Sequence, residues 1–212
     1  MNEIMKEIEN IKIIPVVTVE NVTQGLHTME ALTEGGLPAA EITFRTEAAA
    51  EAIRAMCREY PDALIGAGTV LNIRQAREAE DAGAKFIVSP GYSDEVVNYC
   101  IEENTTVLPG CMTPTDIQRA LAAGLSMVKF FPAEPAGGLK LLKALSEPFP
   151  KLRFMPTGGI SKDNLIEYLN FPKVIACGGS WITKAAKEND FAAVKQEAEN
   201  AVKLVCRWKE QG

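Results

Sequence analysis

The sequence predicts an α/β protein in which eight strands and eight helices alternate to form one (β/α)8 barrel. Eight short β-rich runs recur about every 23 residues, and amphipathic segments with helical spacing lie between them. No stretch resembles a linker, so we expect a single domain over residues 1–212. Eight such units in about 200 residues is the number at which a parallel sheet closes into a barrel. An open doubly wound sheet is the alternative, but GAGTVL has Leu71 where a dinucleotide-binding loop needs its third glycine.

Each element has its own signal, and we take the elements in chain order. A helix is predicted before the first strand. The predicted strands are 11–17, 40–45, 63–70, 85–90, 106–110, 127–132, 153–159 and 174–180. Helix starts are expected at Thr113, an N-cap followed by Pro114, and at Ser161. Helix ends are expected at the glycines Gly35, Gly36, Gly83 and Gly124.

Charge and hydropathy exclude several classes of protein. The chain has 22 Lys and Arg against 28 Asp and Glu, a net charge of −6. Nucleic-acid binding and membrane-surface binding both rely on basic clusters, so neither partner is expected. No apolar run reaches the ~20 residues of a spanning helix. Residues 1–17 lack a basic start and an apolar core, so we expect no export signal and a cytoplasmic protein.

The cysteines and the one histidine limit the chemistry further. Five cysteines without a C-x-x-C pair indicate reduced cytosolic thiols and not a disulfide framework or a zinc cluster. His27 lies in a helical pattern far from any motif, so we interpret it as an ordinary helix residue. A catalytic triad or a typical metal site is therefore not expected. We predict no metal and no cofactor, with carboxylate, lysine or water as acid and base.

Lys129 is the sharpest exception to the buried-strand pattern. A strand that is covered on both faces should be apolar throughout, yet Lys129 lies inside MVKFFP. If Val128 and Phe130 face the helices, alternation points Lys129 into the barrel. A neutral buried amine is a nucleophile toward ketones and the usual route to a Schiff base. We therefore predict that Lys129 is catalytic.

The second predicted strand carries polar residues on its inner face. Alternation places Glu41, Thr43 and Arg45 together and away from the helices. One interpretation is a structural ion pair within the barrel. The other is a proton-moving carboxylate near Lys129, with a guanidinium that grips a carboxylate through two hydrogen bonds.

The later strand ends bring small groups to the same rim, where barrel enzymes have their active sites. These are Gly68-Thr69, Ser89-Pro90 and Pro109-Gly110, and each alone is a weak signal. The last two strands end in PTGGIS and CGGSW. Paired glycines expose backbone N–H groups to an anion, and barrels commonly bind phosphate with these two loops. Two tight turns without a ligand are the alternative interpretation.

With these residues established, the chain resembles the class I aldolases that act on 2-keto-3-deoxy-6-phosphogluconate (KDPG) and 4-hydroxy-2-oxoglutarate (KHG). The resemblance covers essentially the full length. Its most specific segments, in family order, are GGLPAAEITFRT, GAGTVL, PGCMTPT, KFFPAE and PTGGI. The resemblance implies that Lys129 forms the Schiff base and that Glu41 is the general acid/base. It also implies a homotrimer.

The resemblance further assigns the residues that bind substrate. Arg45, Thr69 and Pro90 are expected at the pyruvate end. The expected phosphate contacts are Gly158, Gly159, Gly179 and Ser180, with Thr157 adjacent. Two alternatives stay open. One is an epimerase-like barrel enzyme acting on sugar phosphates, which needs no lysine in the sixth strand; the other is a catalytically idle phosphosugar-binding or assembly protein of the same fold.

Overall fold

Strands and helices alternate along residues 3–211, the part of the chain that the computed structural model describes. Residues 1, 2 and 212 of the predicted domain lie outside the described residues. The helices are α1 (Glu3–Ile11), α2 (Val22–Glu34), α3 (Ala49–Glu59), α4 (Ile73–Asp81), α5 (Asp94–Glu102), α6 (Pro114–Ala122), α7 (Ala133–Ala136), α8 (Gly138–Ser146), α9 (Leu165–Leu169) and α10 (Phe191–Gln211). The strands are β1 (Ile13–Val17), β2 (Ala39–Thr43), β3 (Leu64–Gly68), β4 (Phe86–Val88), β5 (Thr106–Leu108), β6 (Met127–Phe130), β7 (Arg153–Pro156) and β8 (Cys177–Gly179).

The strands form a curled, parallel sheet covered by helices, so the α/β class is confirmed. Six strands pair in the order β5-β4-β3-β2-β1-β8, and β6 pairs with β7. Three isolated parallel bridges lie between these two groups of strands: Gly110 to Lys129, Phe154 to Val174 and Thr157 to Gly178. None of the described helices is long and apolar enough to cross a membrane.

Alternating side chains divide the core into two apolar clusters. The outer cluster lies between the strands and the helices and includes Ile42, Val128 and Phe130. The inner cluster lies on the concave face of the sheet and includes Met127 and Met155. Met5 and Ile8 of α1 belong to the inner cluster; α1 directly precedes β1, so the predicted N-terminal helix covers the concave face at the amino ends of the strands. The carboxyl ends are left for polar side chains.

Strand lengths are where the sequence prediction was wrong. The strand predicted over 40–45 ends at Thr43, and Arg45 lies in the following turn. The Phe44 amide donates to Gly68 O at 2.8 Å, and the Arg45 amide folds back to Thr43 O at 2.8 Å. The strands predicted over 153–159 and 174–180 likewise reduce to β7 and β8. Gly158 and Gly159 lie in the loop after β7, whereas Gly178 and Gly179 lie within β8.

The predicted helix start at Thr113 is confirmed, whereas the one at Ser161 and the number of helices after the sixth strand are not. Thr113 and Asp116 form a capping box, with Pro114 in the first turn of α6. The helix expected from Ser161 begins only at Leu165, because the Asn164 side chain accepts the Ser161 amide and closes a turn first. Two helices, α7 and α8, occupy the single segment predicted after the sixth strand. His27 lies within α2, and its ring packs edge-on against that of Phe191 in α10.

Candidate active site

Lys129 and Glu41 meet on the concave face of the sheet. Lys129 Nζ lies 3.1 Å from Glu41 Oε1, and their side chains are 6% and 0% exposed. The residues next to them along the strands belong to the outer cluster: Val128 and Phe130 flank Lys129, and Ile42 follows Glu41. A buried ion pair is expensive to desolvate and is weak support for stability by itself. Such pairs in a protein interior are therefore candidates for function.

Glycines on two other strands leave the space that Glu41 and Thr157 occupy. A Cβ at Gly68 of β3 would lie 2.2 Å from Glu41 Oε1, and one at Gly178 of β8 would lie 2.3 Å from Thr157 Oγ1. Gly66, two residues before Gly68 on the same face, instead admits the ring of Phe86. The sequence analysis treated the strand-three glycines as weak signals and missed this role. The signal was present as small residues at alternating positions on one strand.

Two polar atoms of the site are buried without a hydrogen-bond partner among the described residues. They are Glu41 Oε2 and Thr157 Oγ1. Buried polar atoms are nearly always paired, and unpaired ones call for a specific reason. A bound polar ligand on the concave face would supply both atoms with partners.

The three residues expected at the pyruvate end all follow strand ends, but they differ in burial. Thr69 directly follows β3, is half-buried and has a left-handed backbone with φ 56°. Pro90 is half-buried two residues after β4, and its carbonyl packs so closely on Gly110 that a Cβ there would lie 2.1 Å from Pro90 O. Arg45 is exposed, and its guanidinium forms no hydrogen bond or ion pair within residues 3–211. Of the predicted site residues in the described part of the chain, Lys129 and Glu41 are the two whose side chains are hydrogen-bonded to each other.

The loops after β7 and β8 present backbone donors toward the rim. Gly158 and Gly159 have φ of 97° and 82°, conformations that glycine adopts without strain. Among the described residues, their amides and that of Ser180 donate to no backbone carbonyl. Gly179 is buried against the Trp181 ring, where a Cβ would lie 2.0 Å from the indole, while Ser180 is exposed. Successive free amides of this kind form an anion-binding concavity.

Two residues that the sequence analysis missed hold the loop after β7 in place. The Glu134 amide donates to Gly158 O at 3.0 Å, and its side chain occupies the space beside Gly159. Tyr168, which is buried, donates its hydroxyl hydrogen bond to Glu134 Oε1. Burial and this hydrogen bond raise the pKa of Tyr168. Glu134 stands in KFFPAE, but nothing local in the sequence indicates that Tyr168, 34 residues later, is its partner.

The Lys129 ammonium also lies 5.2 Å from the centroid of the Phe131 ring, a residue that the sequence analysis did not single out. An aromatic face beside an ammonium stabilises the cation. Among the described residues, no group of three or more His, Cys, Asp or Glu side chains could hold a metal ion. The chemical groups that these residues offer are an amine, a carboxylate and backbone N–H donors.

Comparison with known proteins identifies the family. The model of the KDPG and KHG aldolase family matches residues 3–197. The chain belongs to this family. A 2-dehydro-3-deoxy-phosphogluconate aldolase from Treponema pallidum (strain Nichols) is 45% identical over 207 residues, covering 97% of this chain and 99% of that protein. A KHG/KDPG aldolase from Escherichia coli (strain K12) is 40% identical over 192 residues, or 90% of each chain.

A solved structure agrees in both fold and chemistry. The KDPG aldolase from Legionella pneumophila, with pyruvate captured as a covalent carbinolamine intermediate, superimposes with a TM-score of 0.90. It is 35% identical and covers 94% of this chain and 98% of that one. As a member of this family the chain is a lyase, a pyruvate-dependent aldolase of the Schiff-base class. The comparisons support this prediction and not the epimerase-like or idle alternatives.

Proposed function

We propose that this aldolase cleaves KDPG to pyruvate and glyceraldehyde 3-phosphate, or KHG to pyruvate and glyoxylate. The observation that carries the proposal is the buried contact of 3.1 Å between Lys129 Nζ and Glu41 Oε1. A lysine and a carboxylate in hydrogen-bond reach are the two groups that Schiff-base cleavage requires. The names of the relatives support the same substrates.

Lys129 starts the reaction as the nucleophile. Its neutral amine adds to the C2 ketone to form a carbinolamine, and loss of water gives an iminium that draws electrons from C3. Glu41 accepts the proton of the C4 hydroxyl, directly or through a water. The C3–C4 bond breaks, its electron pair forms an enamine, and the aldehyde leaves. A proton then returns to C3, and water hydrolyses the iminium to release pyruvate and the free amine.

The carboxylate of Glu41 is well placed for this shuttle. Its Oε1 accepts from Lys129, while its buried Oε2 has no partner among residues 3–211. The second oxygen is therefore available to a substrate hydroxyl or to a water. Because both oxygens are shielded from solvent, each hydrogen bond is electrostatically stronger than it would be in water.

The rim residues would hold the two ends of the substrate. We assign Arg45, Thr69 and Pro90 to the pyruvate end, with the free guanidinium of Arg45 gripping the carboxylate. We assign Gly158, Gly159, Gly179 and Ser180 to the phosphate of KDPG, with Thr157 beside them. The free amides of Gly158, Gly159 and Ser180 and the exposed Ser180 hydroxyl are donors that suit an anion.

Four further properties are part of the proposal. We infer that the eight strands close into a barrel, for which the bridges at Gly110–Lys129 and Thr157–Gly178 are the support. We also propose a single domain over residues 1–212, a homotrimer and a cytoplasmic location. Five cysteines without a disulfide support a reducing compartment. Light scattering on the purified chain tests the trimer.

Trapping with borohydride tests the assignment of Lys129. Incubation with pyruvate and borohydride should reduce the iminium and leave a stable secondary amine on Lys129, located by peptide mapping. Lys129→Met should remain unlabelled, and its folding can be checked by circular dichroism. The exposed Lys140 and Lys143 of α8 are internal controls. A label on either of them in place of Lys129 would overturn the assignment.

A further inference from the structure

A second cavity opens at the end of the sheet opposite to the catalytic pair. Its volume is about 680 Å³, within the range of about 300–1,000 Å³ that small-molecule sites occupy. Its walls include Lys12, which precedes β1, and Val174, which precedes β8. Lys129 lies toward the carboxyl end of β6, so the cavity is at the amino ends of the strands. No step of the aldolase reaction uses it.

Lys12 occupies a backbone position that favours another residue. Its φ is 70°, in the left-handed region where glycine or asparagine usually ends a helix. Its amide donates to Ile8 O at 3.0 Å and its carbonyl accepts from Cys177 at 2.9 Å, so the position is fixed between α1 and β8. Glycine would satisfy this backbone without strain. What lysine adds is a side chain in the cavity.

The charges around Lys12 leave an excess of cations. The Glu9 carboxylate attracts the Lys12 ammonium and raises its pKa, but Glu9 Oε1 is already paired with Arg153 at 2.7 Å. Lys209 is a further cation in the cavity wall, and its Nζ donates to the neutral Asn10 O at 2.7 Å. The pKa of Lys12 is nevertheless lowered, mainly because the side chain is partly buried. The charges of Lys209 and Arg153 lower it further. This positive site stands out on a chain with a net charge of −6.

Five residues of the cavity wall are apolar, and the wall also includes the polar side chains of Glu9 and Asn170. Ile166, Leu169 and Val174 line it together with the Trp208 indole. The indole Nε1 donates to Asn170 Oδ1 at 2.8 Å, which fixes the ring, and Lys12 Nζ lies 5.6 Å from the ring centroid. No hydrogen bond or ion pair within residues 3–211 engages Lys12 Nζ. An apolar surface beside an ammonium that no described carboxylate contacts is complementary to an amphipathic anion.

We propose that this cavity binds a small organic anion. Its carboxylate or phosphate would accept hydrogen bonds from Lys12 and Lys209, and its apolar body would pack on Ile166, Leu169 and the Trp208 ring. Two cations in one cavity disfavour a cationic ligand of the same shape. The apolar wall disfavours an inorganic ion, which would leave that surface in contact with water.

The two tryptophans make the site directly observable by NMR. The indole N–H of Trp208 reports on this cavity, and that of Trp181 reports on the loop after β8. Trp208→Phe assigns the two resonances. We choose three probes of one shape: benzoate, phenyl phosphate and benzylamine. We expect benzoate or phenyl phosphate to shift the Trp208 resonance in a saturable way and benzylamine not to shift it. The two anions distinguish a carboxylate ligand from a phosphate ligand.

Variants of Lys12 separate charge from fold. Lys12→Met keeps the apolar stem and should weaken anion binding roughly 10- to 150-fold, the worth of one charge-assisted hydrogen bond. Lys12→Gly removes the same charge while relieving the backbone, so it should lose binding and unfold at no lower temperature than the wild type. Lys6→Met, on the exposed side of α1, is the matched control and should bind as the wild type does.

The outcomes that overturn the proposal are equally clear. They are a Trp208 resonance that neither anion moves, benzylamine binding as tightly as benzoate, or Lys12→Met and Lys12→Gly that both bind like the wild type. KDPG cleavage by Lys12→Met should equal that of the wild type. The NMR experiment measures binding at Trp208, so a negative result would not affect the aldolase assignment. A negative borohydride trap would likewise not affect the proposed anion site.

Discussion

Gly68→Ala is the change that tests most directly how the sheet positions the Glu41 carboxylate, for which we propose a catalytic role. The added Cβ would lie 2.2 Å from Oε1, 2.6 Å from Cγ and 2.7 Å from Cδ of Glu41. All three nearest atoms belong to that one side chain, so the backbone can keep its strand conformation. Ordinary contact begins at 3.4 Å. The Glu41 side chain must therefore shift by about 1 Å.

The expected loss in rate follows from that displacement. Misplacing a catalytic group by about 1 Å costs about 100-fold, so kcat of Gly68→Ala should fall by about that factor. Overpacking in a filled interior costs about 1–3 kcal/mol, so the free energy of unfolding should fall while the protein still folds. Steady-state kinetics with KDPG and urea unfolding measure the two effects separately.

Gly66→Ala is the matched control for this variant. It lies on the same strand and the same face, but its Cβ would meet the Phe86 ring at 2.4 Å and no atom of Glu41 is among its nearest contacts. It should be destabilised to a similar degree, with kcat within about tenfold of the wild type. In a Glu41→Gln background, Gly68→Ala should cost little further rate, since the two changes remove one function. Wild-type kcat in Gly68→Ala, or costs that add in the double variant, would refute the reasoning.

Three further predictions concern the shuttle, the phosphate loop and the thiols. Glu41→Gln should lower kcat by roughly 10²–10⁴-fold while a pyruvate adduct still forms slowly under borohydride. Near wild-type turnover would show that Glu41 forms only a structural ion pair. Ser180→Ala should lower kcat/KM for KDPG by roughly 10- to 150-fold and leave KHG unaffected, whereas an equal loss on both substrates would place Ser180 in the scaffold. Burial, and then the charge of Asp116, raise the pKa of Cys111 to about 12, which keeps its thiol protonated near neutral pH. Iodoacetamide followed by mass spectrometry should therefore modify the exposed Cys206 and spare Cys111 in the native protein, and rapid labelling of Cys111 would contradict its burial.

The inward orientation of Lys129 and of Glu41 was predictable from local sequence for a simple reason. Side chains alternate along any strand, so apolar neighbours at Val128 and Phe130 are enough to direct Lys129 to the opposite face. The same rule holds for Glu41 beside Ile42. It failed for Arg45, because the rule applies only while the strand continues and β2 ends at Thr43. Where a strand ends depends on hydrogen bonds such as Phe44 to Gly68, which join residues that are distant in the chain.

The sequence by itself determined the alternation of strands and helices, the inner face of each strand and the polar residues on that face. These are local properties, set by side-chain period and by caps such as Thr113. Only the tertiary structure decided which of those residues touch. Glu41 meets Lys129 across 88 residues of chain, and Tyr168 reaches Glu134 across 34. Such contacts depend on the register of neighbouring strands and on the space that glycines such as Gly68 leave open, and neither is encoded within any single segment.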